Sequence, residues 1–161
     1  MMDLFLVRHG IAEEPSGWDG PDAARPLTKE GAKKTLRIAE RVGALFPAPE
    51  AIVASPYLRA RQTADFFQEA WGISARRETE ALVPSADPAE FLLWMRREAG
   101  GWRSLVAVAH EPLLSRLAAR ILTGRDSGGL IEFKKAGIAR IELRDGGGVL
   151  RLLLPPRVLL A

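Results

Sequence analysis

The stretch Asp3-Leu4-Phe5-Leu6-Val7-Arg8-His9-Gly10 is the clearest strand signal near the start of the chain, and the prediction of the fold begins from it. It is a short apolar run that ends in an Arg-His pair and is closed by a glycine. A run of this length and composition is typical of a buried strand. Because open α/β sheets present reactive groups at the carboxyl ends of their strands, Arg8 and His9 are predicted to face a crevice.

Strand patterns and helix patterns alternate along the remaining chain. Strands are predicted at 51–54 and 104–109, more weakly at 74–78, and in a terminal hairpin at 139–143 and 149–153. Helices are predicted from Thr28, as N-cap, to before Pro47, over 58–71, from Asp87 to about Glu98, and over 112–122. This order predicts an α/β fold, a three-layer sandwich with a mostly parallel central sheet and helices on both faces.

Length and composition favour one domain over residues 1–161, because the chain is 47% hydrophobic and has no Pro-rich or Gly-rich linker. The net charge of +3 is dispersed and accompanies no nucleic-acid-binding signature, so we expect no nucleic-acid partner. The lack of cysteine excludes disulfides, thiolate metal sites and a cysteine nucleophile. Without a leader-like start or a long apolar run, a cytoplasmic protein that does not contact membranes is expected.

The only two histidines of the chain each follow a predicted strand. His9 follows the first strand, and His110 follows the strand at 104–109 and precedes a predicted helix. Because the carboxyl ends of parallel strands meet at one edge of a sheet, one crevice would hold both imidazoles. A lone histidine is more often structural, but two at equivalent positions favour a functional site.

Basic residues near these histidines predict a phosphoryl-binding pocket. Arg8 and Arg59 offer planar sets of donors that match phosphoryl oxygens, and the helix after His110 offers amide groups at its N-terminus. A neutral imidazole in such a pocket is able to attack phosphorus and form a phosphohistidine intermediate. Arg8, Arg59 and His110 would stabilise the transferring charge, and no metal-ligand spacing occurs, so we expect neither a metal nor a cofactor.

The stretch Leu6-Val7-Arg8-His9-Gly10 resembles the Arg-His-Gly signature of the histidine phosphatase superfamily, the phosphoglycerate-mutase-like group. Four further blocks match in order: Arg25-Pro26-Leu27-Thr28 with Gly31, Ser55-Pro56-Tyr57-Leu58-Arg59-Ala60 with Gln62-Thr63, His110-Glu111-Pro112, and Phe133 with Ala136. Over nearly the whole length, their order and spacing resemble the SixA-type protein-histidine phosphatases. The resemblance implies a phosphoglycerate-mutase-like fold. It also implies that His9 is the phosphorylated nucleophile, held beside three groups that grip or stabilise the phosphoryl group: Arg8, Arg59 and His110.

Five other residues receive less specific roles. Arg25 is either an accessory phosphate contact or an anchor of its loop, and we favour the anchor. Ser55 and Thr63 are expected to be a helix cap and a packing residue. Lys134 and Lys135 are expected to be solvated at a sheet edge rather than to face the pocket.

This sequence differs from the larger members of the superfamily at the position of the general acid. Those members place a Glu after the third strand, whereas the resemblance puts Ala81 at that place. Glu80 and Glu13 remain candidates for the acid, although a solvated surface carboxylate is the favoured role for each. An alkoxide must be protonated as it leaves, but a phosphohistidine already protonated on its ring departs as neutral imidazole. The absence of a carboxylate at Ala81 therefore favours phosphohistidine as substrate.

Three functions are compatible with these features. We expect a phosphohistidine phosphatase that acts on a phosphohistidine-bearing protein, such as a phosphotransfer protein, through an intermediate on His9. The first alternative is a hydrolase of small phosphate esters or pyrophosphates that uses the same mechanism, with Glu80 or Glu13 as acid. The weaker alternative is a non-catalytic phosphate-binding module that retains the fold.

Overall fold

A computed structural model describes all residues from Met1 to Ala161. The strands are β1 (Met2–Arg8), β2 (Ala51–Ala54), β3 (Ala75–Glu78), β4 (Ser104–Ala109), β5 (Ile138–Arg144) and β6 (Gly147–Leu154). The helices are α1 (Lys29–Leu45), α2 (Leu58–Trp71), α3 (Pro88–Glu98), α4 (Leu113–Thr123) and α5 (Pro156–Leu160). Single 3-10 turns lie at Pro15–Gly17, Asp22–Ala24 and Glu80–Leu82. None of the helices combines the length and the hydropathy that a membrane span requires.

One six-stranded sheet runs through the molecule in the order β3-β2-β4-β1-β5-β6. The first four strands along the chain are parallel, and the terminal hairpin β5–β6 adds two antiparallel strands at one side. β1 lies inside the sheet, between β4 and β5. The predicted α/β fold with a mostly parallel sheet is therefore confirmed.

The side chains of β1 alternate between the two helical layers, as the period of two in a strand requires. Leu4 and Leu6 are fully buried in the cluster that contains residues of α3 and α4. Phe5 and Val7 lie in the opposite cluster, with residues of α1, α2 and α5. Burial on both faces explains why this stretch is a continuous apolar run rather than an alternating one.

Helix α1 begins as the sequence predicts, because the Thr28 hydroxyl accepts a hydrogen bond of 2.8 Å from the amide of Gly31. A Cβ atom at Gly31 would collide with the carbonyl oxygen of Ile11, so only glycine allows the helix to approach this chain segment. The helix ends at Leu45, before Pro47 as predicted.

The short helix α5 is the element that the sequence does not predict. Its five residues are too few for a helical period to stand out from the pattern. Leu159 is nevertheless 5% exposed and belongs to the same cluster as α1 and α2. Contact with α1 across the sheet surface, rather than local propensity, accounts for this element.

Candidate active site

The register between β1 and β4 brings the two histidines together. Arg8 lies opposite Ala109 in the parallel ladder, so the next residues of both strands, His9 and His110, are neighbours. The amide of His9 donates to the carbonyl oxygen of Ala109 at 3.0 Å, and the two imidazole centroids are 5.0 Å apart. His9 is 3% exposed and His110 is 1% exposed. The two rings therefore form one buried cluster at the carboxyl edge of the sheet.

The hydrogen bonds of His9 determine which of its nitrogens is free. Nδ1 lies 2.7 Å from the carbonyl oxygen of Gly10. Because a carbonyl oxygen only accepts, Nδ1 must carry the proton and Nε2 must carry the lone pair. Gly10 itself packs tightly, since a Cβ atom there would collide with the hydroxyl oxygen of Thr35 in α1. The glycine of the Arg-His-Gly stretch thus lets α1 approach the strand end that orients His9.

Both histidines are held neutral by burial and by neighbouring positive charge. Burial contributes most to lowering the pKa of His9 from 6.5 to about 2; the neighbouring ionisable ring of His110 and the positive charges of Lys135 and Arg59 lower it further. Burial and the charge of Arg59 lower the pKa of His110 to about 3. At neutral pH, Nε2 of His9 is therefore an unprotonated nucleophile.

Arg8 is anchored by the loop that precedes β5. Its Nη1 donates to the carbonyl oxygen of Phe133 at 2.6 Å. In the same loop, Ala136 adopts φ 61° and its amide donates to the carbonyl oxygens of both Arg8 and His9 at 3.1 Å. Phe133 and Ala136, which the sequence analysis singled out as a block, thus hold the end of β1 in place.

Arg59 is 3% exposed in the first turn of α2 and is oriented by the loop between β1 and α1. Its Nη1 donates to the backbone carbonyl of Asp22 at 2.9 Å, and its Nη2 contacts the Asp22 carboxylate at 3.1 Å. The guanidinium also lies 5.1 Å from the centroid of the Tyr57 ring. Asp22, for which the sequence pattern predicts no role, is therefore the anionic partner of Arg59.

Arg25 has the bonds of a loop anchor. It contacts the carboxylate of Asp22 at 2.9 Å and donates from Nη1 to the backbone carbonyl of Glu13 at 2.6 Å. These contacts tie together the two ends of the loop that carries Asp22. The charge of Arg25 still reaches the site, because it contributes to lowering the pKa values of His110 and Lys135.

Three side-chain nitrogen atoms at this site are buried and have no hydrogen-bond partner: Arg8 Nε, Arg59 Nε and His110 Nδ1. An unpartnered buried polar atom carries the full cost of desolvation, so native proteins keep few of them. Here the three belong to residues whose charges or rings surround His9. An anion with several oxygen atoms, such as a phosphoryl group, would accept from such donors.

Ser55 has a different partner from the one that the sequence predicts. It was expected to cap α2, but the N-cap position is Tyr57 and no side chain caps that helix. Ser55 is fully buried beside the end of β4, and its hydroxyl lies 2.8 Å from Nε2 of His110. The expectation was wrong because β2 and β4 are neighbours in the sheet, which chain order alone does not reveal. The expected packing residue Thr63 is fully buried, and its hydroxyl accepts from the amide of Gly10 at 3.0 Å.

Lys135 also departs from the prediction, because it is half-buried at the site rather than solvated. No carboxylate lies within ion-pairing distance of its ammonium group. Burial and the charges of three arginines, Arg8, Arg25 and Arg59, lower the pKa of Lys135 to about 8. Its neighbour Lys134 is 67% exposed, as expected, and lies 3.8 Å from Glu132. Lys135 lies inside the Phe133–Ala136 block, and this position was the feature of the sequence that indicated a side chain close to the site.

The carboxylates named as candidate acids lie at the surface. Glu13 and Glu80 are both exposed, whereas Ala81 is partly buried against the cluster formed with α3. Glu111, which was not predicted as a candidate acid, is partly buried, and its Oε1 has no hydrogen-bond partner. Burial raises the pKa of Glu111, and hydrogen bonding from Ser115 and the charge of Arg8 oppose that shift. No group of three or more His, Cys, Asp or Glu side chains is placed to hold a metal ion.

Comparisons with known proteins agree with this architecture. The family model of the histidine phosphatase superfamily (branch 1) matches residues 4–82. An uncharacterized protein of Picosynechococcus sp. is 38% identical over 146 residues, which cover 90% of this chain and 86% of that protein. The phosphohistidine phosphatase SixA of Escherichia coli is 27% identical over 91% of this chain and 88% of its own. A structure of the protein histidine phosphatase SixA complexed with tungstate matches with a TM-score of 0.86, at 25% identity, over 98% of this chain and 99% of that one.

The depressed pKa values of His9 and His110 make stability depend on pH. Below pH 6.5 the unfolded chain protonates both rings, whereas the folded protein does not until the pH approaches 3. Their contribution to stability is therefore present above pH 6.5 and is lost as the pH falls, by about 2 kcal/mol per histidine at pH 5. Urea unfolding at pH 7 and pH 5 measures this change. The double variant His9→Gln with His110→Gln should lose much less stability between the two pH values, and an equal loss would contradict the assignment.

Lys135 is expected to strengthen binding of inorganic phosphate. Replacing it by Gln removes a partly buried cation close to Arg8 and Arg59, so the Kd for phosphate should rise about fivefold to tenfold. Isothermal titration calorimetry measures the constant. Lys135→Arg should keep most of the affinity because it keeps the charge, and the exposed Lys134→Gln is the matched control. Equal increases of the Kd in Lys134→Gln and Lys135→Gln would contradict the prediction, because phosphate binding would then depend only on the net charge of the protein.

Proposed function

The chain belongs to branch 1 of the histidine phosphatase superfamily, and on this premise we propose that it is a phosphohistidine phosphatase. It removes the phosphoryl group from a phosphohistidine-bearing protein through a covalent phosphohistidine intermediate on His9. The similarity to the Escherichia coli phosphohistidine phosphatase SixA over 91% of the chain supports this substrate class.

The observation that carries the proposal is the hydrogen bond from His9 Nδ1 to the carbonyl oxygen of Gly10. It holds the ring in one orientation and leaves the lone pair on Nε2. The low pKa of about 2 keeps that lone pair unprotonated at neutral pH. An imidazole in this state attacks phosphorus without a separate base.

The phosphoryl group is held by side-chain donors that lack partners in the protein. Arg8 Nε, Arg59 Nε and His110 Nδ1 donate to its oxygens, and the charge of Lys135 adds to the attraction. These groups stabilise the charge that is spread over the transferring oxygens. Because these fixed cations supply the stabilisation, we propose that the reaction proceeds without a metal ion.

Two displacements at phosphorus complete the reaction. In the first, Nε2 of His9 forms a bond to phosphorus while the bond from phosphorus to the substrate imidazole breaks. The substrate ring keeps the electron pair of that bond and leaves as neutral imidazole, since its other nitrogen already carries a proton. In the second, the oxygen of a water molecule forms a bond to phosphorus while the bond from phosphorus to Nε2 of His9 breaks. Nε2 keeps that electron pair, the water proton passes to the departing phosphate, and His9 is restored with the proton still on Nδ1.

The lack of a carboxylate at Ala81 supports a nitrogen leaving group rather than an alkoxide. Ala81 is partly buried against apolar side chains, and the adjacent Glu80 is exposed. An imidazole leaving group requires no proton from the enzyme, whereas an alkoxide does. We therefore propose a phosphotransfer protein as the partner, because such proteins carry phosphoryl groups on histidine.

Replacing His9 should abolish turnover and prevent labelling of the enzyme. With a phosphohistidine peptide as substrate, His9→Ala should reduce kcat by at least about a thousandfold, because no other side chain provides the nucleophile. Acid-labile phosphate should be trapped on His9 of the wild-type protein in a rapid quench and be located by mass spectrometry. Turnover that survives His9→Ala would refute the covalent mechanism.

One observation favours the small-molecule alternative, in which the same site hydrolyses phosphate esters. Glu111 follows His110 directly, is partly buried, has no partner at Oε1 and has a raised pKa. A carboxyl group with these properties is able to donate a proton to an alkoxide. Under this alternative, Glu111 takes the role that the sequence assigned to Glu80 or Glu13.

Glu111→Gln distinguishes the two functions. For a phosphohistidine phosphatase, it should change kcat/KM for a phosphohistidine peptide by less than about threefold, because the leaving imidazole needs no acid. For an ester hydrolase, it should reduce kcat/KM for phenyl phosphate by about a hundredfold or more. Parallel assays of Glu80→Gln show whether an exposed carboxylate acts instead. Wild-type turnover of phenyl phosphate that exceeds peptide turnover by orders of magnitude would refute the phosphohistidine proposal.

A further inference from the structure

We infer that Ser55 is a positioning residue that sets the tautomer of His110, so that Nδ1 carries the proton and faces the phosphoryl group. The contact concerned is the 2.8 Å hydrogen bond between the Ser55 hydroxyl and Nε2 of His110. The role in phosphoryl binding rests on the proposed function, whereas the tautomer itself follows from the hydrogen bonds of the protein alone.

Counting donors and acceptors gives the direction of this hydrogen bond. The Ser55 hydroxyl already accepts a hydrogen bond of 3.2 Å from the amide of Tyr57. Its own proton has no acceptor within reach other than Nε2 of His110. If Nε2 were the donor instead, the serine proton and the Nδ1 lone pair would both be buried without partners. With Ser55 as donor, the only group without a partner is the Nδ1–H of His110.

The surrounding backbone holds Ser55 firmly enough to select one tautomer. Ser55 is fully buried, and its amide donates to the carbonyl oxygen of Val108 in β4 at 3.0 Å. His110 is held in turn because its carbonyl oxygen accepts from the amide of Leu114 in the first turn of α4. Both partners are therefore fixed at strand ends, and the hydroxyl is the group that remains free to turn toward Nε2.

This tautomer matters because it determines whether His110 attracts or repels an anion. A neutral imidazole has one donor and one acceptor, and burial keeps His110 neutral at pH 7. With the proton on Nδ1, the ring atom without a partner is a donor, in a ring whose centroid lies 5.0 Å from that of His9. With the proton on Nε2, a lone pair would face the phosphoryl oxygens instead. In water, neutral histidine favours the Nε2–H form, so the serine opposes the intrinsic preference of the ring.

Imidazole nitrogen chemical shifts test the inference directly, and the chain has only two histidines to assign. In the wild-type protein labelled with ¹⁵N-histidine, Nδ1 of His110 should have the shift of a protonated nitrogen and Nε2 that of an unprotonated one. His9 provides the internal reference, because its Nδ1 donates to Gly10 in any case. A protonated Nε2 on His110 in the wild-type protein would overturn the inference without any variant.

The variant Ser55→Ala tests whether the Ser55 hydroxyl sets the tautomer of His110. His110 should shift toward the Nε2–H form while His9 remains unchanged, and kcat for a phosphohistidine peptide should fall roughly tenfold to hundredfold. Ser55→Thr keeps the hydroxyl and should keep the wild-type tautomer. An unchanged His110 tautomer in folded Ser55→Ala would also overturn the inference. Because the spectra are recorded without substrate, this outcome is distinct from failure to trap a phosphoenzyme on His9.

Discussion

The parallel pairing of β1 with β4 is the interaction on which the site depends. This ladder places Arg8 opposite Ala109 and thereby makes His9 and His110 neighbours, although 101 positions separate them in the chain. A shift of one residue in either strand would turn one imidazole to the other face of the sheet. Such a shift is prevented because Leu6 and Val7 are each fully buried in a different helical layer. Packing of the core fixes the strand register, and the strand register fixes the positions of the two histidines.

Positive charge at the site performs two tasks at once. The charges of Lys135 and Arg59 help to keep His9 neutral, and the same charges attract the phosphoryl group that His9 attacks. Arg59 and Arg25 share one acidic partner, the Asp22 carboxylate. Lys135 has none, so the free protein carries a positive charge that an anion would neutralise. Binding of phosphate and activation of the nucleophile therefore arise from one electrostatic arrangement.

The sequence predicted the central strands and the main helices because their signals are local. The apolar run in β1, the cap at Thr28 and the Asp87–Pro88 start of α3 each act within a few residues. The errors concern contacts between elements that are distant in the chain. Helix α5 forms against α1, and Ser55 bonds to His110 instead of capping α2. Neither contact leaves a periodic pattern in the sequence.

Local sequence patterns were sufficient to predict the α/β order of elements, the placement of Arg8 and His9 at a strand end, and the resemblance to the histidine phosphatases. The tautomer of each imidazole, the pairing of Asp22 with Arg59, and the inward position of Lys135 follow from the three-dimensional arrangement alone. The reason is physical: burial periodicity and capping depend on near neighbours in the chain. Hydrogen-bond direction and pKa depend on which strand ends and loops meet in space.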